Sequence, residues 1–112
     1  MADSPVKEKK IFSYAEAAAL LPQVQRLTTE AHGRVEELRP RAEGGAADAQ
    51  QQINEILAEW ARSILTMGVD VKGLWLVDFD SGSGYYCWKH PEPGLRFFHS
   101  YEDGFRGRIP IQ

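Results

Sequence analysis

Four polar residues, Asp78, Glu92, His99 and Arg108, are set into the most aromatic part of the chain. Nine of the twelve aromatic residues fall between Trp75 and Phe105, so these groups must share space with rings that build a core. A carboxylate in such surroundings is costly unless it is paired or hydrogen-bonded. Asp78 therefore reads in two ways. It is a buried ion pair or turn cap, with Arg108 or with the 80–84 turn as partner, or it is a metal ligand or general base. Two carboxylates and one imidazole suit a divalent metal, which makes Asp78, Glu92 and His99 the candidate ligand set and a divalent metal the candidate cofactor. Arg108 has the planar fork that binds carboxylate or phosphate through two hydrogen bonds; the alternative is that it pairs with Asp78 or Glu92 and locks the end of the chain down. Tyr86 and Trp88 join the list of ligand-binding candidates because flat rings stack on planar ligands. The competing reading for both is core packing.

Other features carry less chemistry. His99 has no His-x-x-x-His or Cys-x-x-Cys spacing around it, and a satisfied structural histidine is its plainer reading. His32 lies on a helix and His90 in a Pro-rich turn, and both read as surface residues. The single cysteine, Cys87, excludes an intrachain disulfide and reads as a small buried core residue. Asp80-Ser-Gly-Ser-Gly84 resembles a phosphate loop only in its glycines. It lacks the following helix and lysine, so it reads as a hairpin turn.

Composition narrows the classes of function. The 112 residues are 43% hydrophobic and 26% charged, with a net charge of −3. Residues 1–68 carry eight Lys/Arg against ten Asp/Glu, and residues 69–112 five against six. Neither part is basic, so nucleic acid is not expected as a partner. No apolar run approaches the roughly 20 residues that span a bilayer, and residues 1–10 lack the apolar stretch of a signal peptide. A cytoplasmic protein with no membrane association is the expectation.

The elements that must position the polar residues can be read from periodicity. Residues 1–10 read as a disordered tail, and residues 11–112 as one domain. Ser13-Tyr-Ala-Glu16 is a capping box that opens a helix. Leu20, Val24, Leu27, Ala31, Val35 and Leu38 line one face of a helical region over about 14–42. Pro22 interrupts it. A short helix at 14–20 giving way to a long one near Leu21 is favoured over a kink, because proline suits a helix's first turn, and Pro40 ends the segment or stands just beyond its end. A second helix is expected over about 48–67, with Ile53, Ile56, Leu57, Trp60, Ile64 and Met67 on one face and Gly68 as its left-handed stop. The period then changes to two. Strands are expected over about 69–79, 85–89 and 95–101, joined by short turns, followed by an irregular end. The predicted fold is α+β, an antiparallel helical hairpin packed on a small three-stranded antiparallel meander. In the first strand both faces are largely apolar. One packs on the helices; the other needs the C-terminal segment or a second subunit, which is the ground for expecting a homodimer.

The motifs resemble a known family. Gly73…Leu76-Val-Asp-Phe79, Tyr86-Cys-Trp88, Glu92, Phe98-His99, Gly104-Phe105 and Arg108-Ile-Pro110 look like the bacterial family termed domain of unknown function 2203, sometimes labelled division-initiation-like proteins. Phe12-Ser-Tyr, Glu16-Ala and Leu20-Leu-Pro22 resemble that family's opening. Asp80 stands where the family pattern has proline, Phe98 where it has tryptophan, and Pro91 where it has glycine, while Asp78, Glu92, His99 and Arg108 match. The resemblance implies no established activity. Three functional readings follow: a module that binds a small anionic ligand or a metal at the polar cluster, a metal-dependent hydrolase-type enzyme, and a helical-hairpin module for protein–protein interaction.

Overall fold

The computed structural model describes residues 10–111. Apart from Lys10, the tail expected over residues 1–10 lies outside the described residues. Helix α1 (Tyr14–Glu43) opens on the expected capping box. The Glu16 N–H donates to Ser13 Oγ at 3.1 Å, and the Glu16 carboxylate accepts from the Ser13 N–H at 2.9 Å. The helix then runs through Pro22 as one element, where a short first helix was favoured, and through Pro40, expected at or just beyond the segment's end, to Glu43, next to the expected bound at about 42. Proline inside a helix costs about 3 kcal/mol. The buried stripe of Ala17, Leu21, Val24, Ala31 and Val35 straddles Pro22, and each large aliphatic in it contributes roughly 1.5–3 kcal/mol by burial. Breaking the helix at Pro22 would misalign the two halves of that stripe, so packing outweighs the lost hydrogen bond.

Helix α2 (Ala47–Thr66) returns antiparallel to α1. Three contacts fix the direction: Arg41 with Asp48, Arg34 with Glu59, and Thr28 with Trp60. The last is buried, with the Trp60 indole N–H donating to Thr28 Oγ1 at 2.9 Å. Gly68 takes φ +85° just past the helix, the left-handed stop that its sequence position predicts. Among the described residues no helix is long and apolar enough to cross a membrane.

Five antiparallel strands follow in simple order, β1 (Asp70–Gly73), β2 (Leu76–Asp80), β3 (Tyr85–Lys89), β4 (Phe97–His99) and β5 (Ile109–Pro110). The meander is as expected but has five strands rather than three. The single strand expected over 69–79 is two, folded back at Leu74 and Trp75. Trp75 adopts φ +60°, a left-handed conformation that costs about 1–2 kcal/mol for a residue with a Cβ. Its ring is buried, 5.0 Å from that of Trp60. Burial of so large a side chain offsets the backbone cost, and Leu74 is left exposed at the tip. The third expected strand shortens to β4, and the end of the chain, expected to be irregular, makes a 3₁₀ turn (Phe105–Gly107) and pairs with β4 as β5.

Val77, Phe79, Tyr86 and Trp88 form the inner face of the sheet and pack with Phe12 and the helical stripes in one cluster. Phe12 meets Phe79 edge to face at 5.4 Å, and its N–H donates to the Asp80 carbonyl at 2.7 Å, so the start of α1 is tied to the end of β2.

The Thr28–Trp60 bond yields a test. Replacing Thr28 by Val keeps the shape but leaves the buried indole N–H without an acceptor, which costs about 1–3 kcal/mol. Urea denaturation should show that loss for Thr28→Val and little change for Thr28→Ser.

Candidate functional site

The outer face of the sheet carries the chemistry. The 81–84 turn closes the β2–β3 hairpin with Asp80 opposite Tyr85, which sets Asp78 opposite Cys87. On the other side of β3, His99 of β4 stands opposite Tyr85. Asp78 and His99 therefore lie one strand apart on each side of β3, on the same face. Their side chains meet diagonally across β3, with His99 Nε2 2.9 Å from Asp78 Oδ2. Gly84 is required by the same packing, because a Cβ there would lie 2.6 Å from the His99 carbonyl oxygen.

Asp78 is 1% exposed, His99 5% and Cys87 1%. One ligand-capable atom from each lies within 4.8 Å of the others. His99 Nδ1 is 2.8 Å from the Ser100 carbonyl. A carbonyl can only accept, so Nδ1 carries the proton and Nε2 is directed at Asp78. Oδ2 of Asp78 takes that contact, while Oδ1 is buried with no hydrogen-bond partner among the described residues. A cavity of about 310 Å³ adjoins the cluster, lined also by Lys72, Tyr85, Tyr101 and Phe105. The second sheet face, whose apolar character was the ground for expecting a homodimer, is thus walled in part by the chain's own residues 101–105.

Electrostatics follow from this burial. Desolvation pushes the Asp78 carboxyl above its ordinary range, against the pull of the Cys87 thiol, the His99 imidazole and the Lys72 charge. The Cys87 thiol is pushed up to about 12, first by burial and then by the Asp78 charge, with Arg108 opposing. Burial thus disfavours the charged forms of both Asp78 and Cys87.

The other candidates divide between the two faces. Glu92 lies outside the three-residue cluster. Its Oε1 accepts from the Lys89 N–H at 2.9 Å and from Arg108 Nη1 at 3.1 Å, and its Oε2 pairs with Arg108 Nη2 at 2.8 Å. Arg108 thus pairs with Glu92, and Asp78 with His99 rather than with Arg108. Tyr86 and Trp88 point to the opposite, inner face, where both belong to the core, and the Trp88 indole N–H donates to the Glu92 carbonyl at 2.9 Å. Cys87, read from sequence as a small buried core residue, is buried as expected; what the sequence reading left out is its place beside Asp78 and His99. The signal was present, since a four-residue turn after Asp80 places position 87 opposite Asp78. His32 and His90, expected at the surface, are half-buried with their rings 4.7 Å apart, and burial, helped by His32, lowers the His90 pKa.

The raised Asp78 carboxyl has a consequence for stability. The folded state favours its protonated form. Its contribution is therefore fully present below the ordinary carboxylate value of 3.8 and is lost as pH rises through the elevated folded value. Asp78→Asn does not ionise, and its amide can still donate to His99 Nε2. In chelator-treated protein the stability of Asp78→Asn relative to the parent should rise between pH 4 and pH 8 in urea denaturation. A margin that shrinks instead would mean that the charged carboxylate is the stabilising form.

No curated protein and no solved structure matches the chain. Residues 10–111 match the model of one family, described as uncharacterized conserved protein (DUF2203). That match takes in both helices, all five strands and the Asp78–Cys87–His99 cluster, and the chain belongs to this family.

Proposed function

We propose that the protein is a metal-binding module whose ligands are Asp78, Cys87 and His99, with a borderline transition metal such as zinc as the ion. The observation that carries this reading is the buried, unpartnered Oδ1 of Asp78, on a carboxylate that is grouped with a thiol and an imidazole nitrogen. A buried oxygen without a partner costs about 1–3 kcal/mol, and a cation bound there would remove that cost. The donor set fits the ion. Mixed sulfur, nitrogen and oxygen donors suit zinc, whose tetrahedral ligands at about 2.0–2.3 Å stand roughly 3.3–3.8 Å from one another. Three atoms already within 4.8 Å need only side-chain adjustment of about an ångström to close on it. The Nδ1–H of His99 on a backbone carbonyl is the outer-shell bond that orients metal-ligating histidines. Cys87 and Asp78 coordinate in their deprotonated forms.

A metal is favoured over a small anion because both terminal nitrogens of Arg108, the cation first considered for anion binding, are taken by Glu92. The hydrolase-type reading uses the same ligand set. It draws on the adjoining cavity, since three protein ligands leave a fourth position open. The interaction-module reading has less to draw on. The helical stripes from Leu21 to Val35 and from Ile53 to Ile64 are buried within this chain.

The test is elemental analysis of protein purified without chelator or metal-affinity tag, followed by stripping and titration with zinc. The parent should retain near-stoichiometric metal. Cys87→Ala, which keeps position 87 small, should stay folded and bind zinc more weakly by at least about 100-fold, the upper end of the effect seen for outer-shell losses alone. A folded parent protein that takes up no zinc, cobalt or iron would overturn the reading.

A further inference from the structure

Arg108 is held in an unusual setting for a residue near the end of a chain. Its guanidinium lies 4.1 Å from the centre of the Phe97 ring and 4.0 Å from that of Phe105. Its two terminal nitrogens pair with the two oxygens of Glu92, and its side chain is 12% exposed. The aromatic faces and the carboxylate together fix the plane and rotation of the fork. Of the N–H groups that the Glu92 pair leaves over, one on Nη1 reaches Cys87 Sγ at 3.9 Å. A neutral thiol is a weak acceptor and would not by itself reward such precise aim. A metal-bound thiolate is a strong one, and a hydrogen bond from a cation is about twice as strong as one between neutral groups.

We infer that Arg108 is a positioning residue for the metal centre, an outer-shell donor that holds negative charge on the Cys87 sulfur, with Glu92, Phe97 and Phe105 as the frame that aims it. This rests on the metal-binding reading and assigns a role to the two candidates, Arg108 and Glu92, that the ligand set leaves out. It also gives the C-terminal segment a function. Phe105 and Arg108 lie on opposite sides of the 3₁₀ turn (Phe105–Gly107), so the fold of that segment sets the hydrogen bond to the sulfur. A latch that merely ties β5 to the 90–94 turn would need the Glu92 pair but not the contact with Cys87.

The experiment is titration of the metal-free full chain with Co²⁺, read by the sulfur-to-cobalt charge-transfer band in the near ultraviolet and by affinity from chelator competition. A hydrogen bond to the sulfur lowers the energy of its lone pairs and moves that band to higher energy. Arg108→Lys keeps the charge but loses the fork. It should shift the band to lower energy and weaken Co²⁺ by about 10- to 100-fold, the range for outer-shell partners of metal ligands. Phe105→Ala removes one wall of the frame at a partly exposed position; it should shift the band the same way by less, and it keeps the test open should Arg108→Lys fail to fold. A parent protein that shows the band, with folded variants whose band and affinity match it, would overturn the role of Arg108 while leaving the metal site standing. A parent protein that binds Co²⁺ without the band, or not at all, would overturn the Cys87-containing site and this inference with it.

Discussion

The burial of Asp78 is the constraint around which the rest of the sheet is arranged. A carboxylate that is 1% exposed must find partners or give up its charge. The chain meets this need from the far side of β3, where His99 reaches diagonally across to it. One oxygen of Asp78 is left over. A protein selected for stability alone would place an apolar side chain here and avoid the penalty, as replacement of buried ionic groups by apolar ones is often neutral or stabilising. Under the proposed metal-binding function, that penalty is the cost of keeping the acid, the imidazole and the thiol together.

That site depends on strand register. Because side chains alternate along a strand, a slip of one residue would carry Asp78 into the core and Val77 or Phe79 out of it. Two turns prevent the slip. The β2–β3 turn is closed by the Ser81 N–H on the Gly84 carbonyl at 2.8 Å and by the Gly82 N–H on the Asp80 carboxylate at 2.9 Å. The β1–β2 turn is anchored by Trp75, whose ring is locked among Trp60 and His32 while its backbone takes the left-handed conformation. The helical hairpin therefore does more than cover the inner face of the sheet. By gripping Trp75 it sets where β2 begins, and so which face Asp78 occupies.

The third support comes from the end of the chain. Residues 101–105 wall the cavity beside the cluster, and β5 pairs with β4 just beyond the 3₁₀ turn. The 90–94 turn is held from two sides, by the Trp88 indole on the Glu92 carbonyl and by Arg108 on the Glu92 carboxylate. Glu92 thus links the core on the inner face to the polar cluster on the outer one. An ion pair with side chains 12% and 22% exposed is shielded enough from water and salt to act as a positional restraint rather than as one of the exchangeable surface pairs, such as Arg26 with Glu30.

Much of this was legible along the chain, because local rules and burial periodicity act within a few residues. The capping box at Ser13, the stop at Gly68, both helical stripes, strand β3 and the α+β class needed nothing beyond sequence spacing. Asp78 and His99 could be singled out because a charged or polar group in an aromatic segment is conspicuous by type alone. What the sequence could not decide were outcomes set by distant contacts. Pro22 failed to break α1 because a stripe on both sides of it packs against residues far along the chain. Trp75 turned a strand into a hairpin because its ring found Trp60. Only the pairing across β3 and the packing of the last residues placed Cys87 beside Asp78 and His99, and Glu92 with Arg108. Residue type and spacing determined which chemistries this protein has available. The strand register and the packing of the last residues determined which of those groups meet, since a contact across a sheet is created by the pairing of strands and is a property of no single segment.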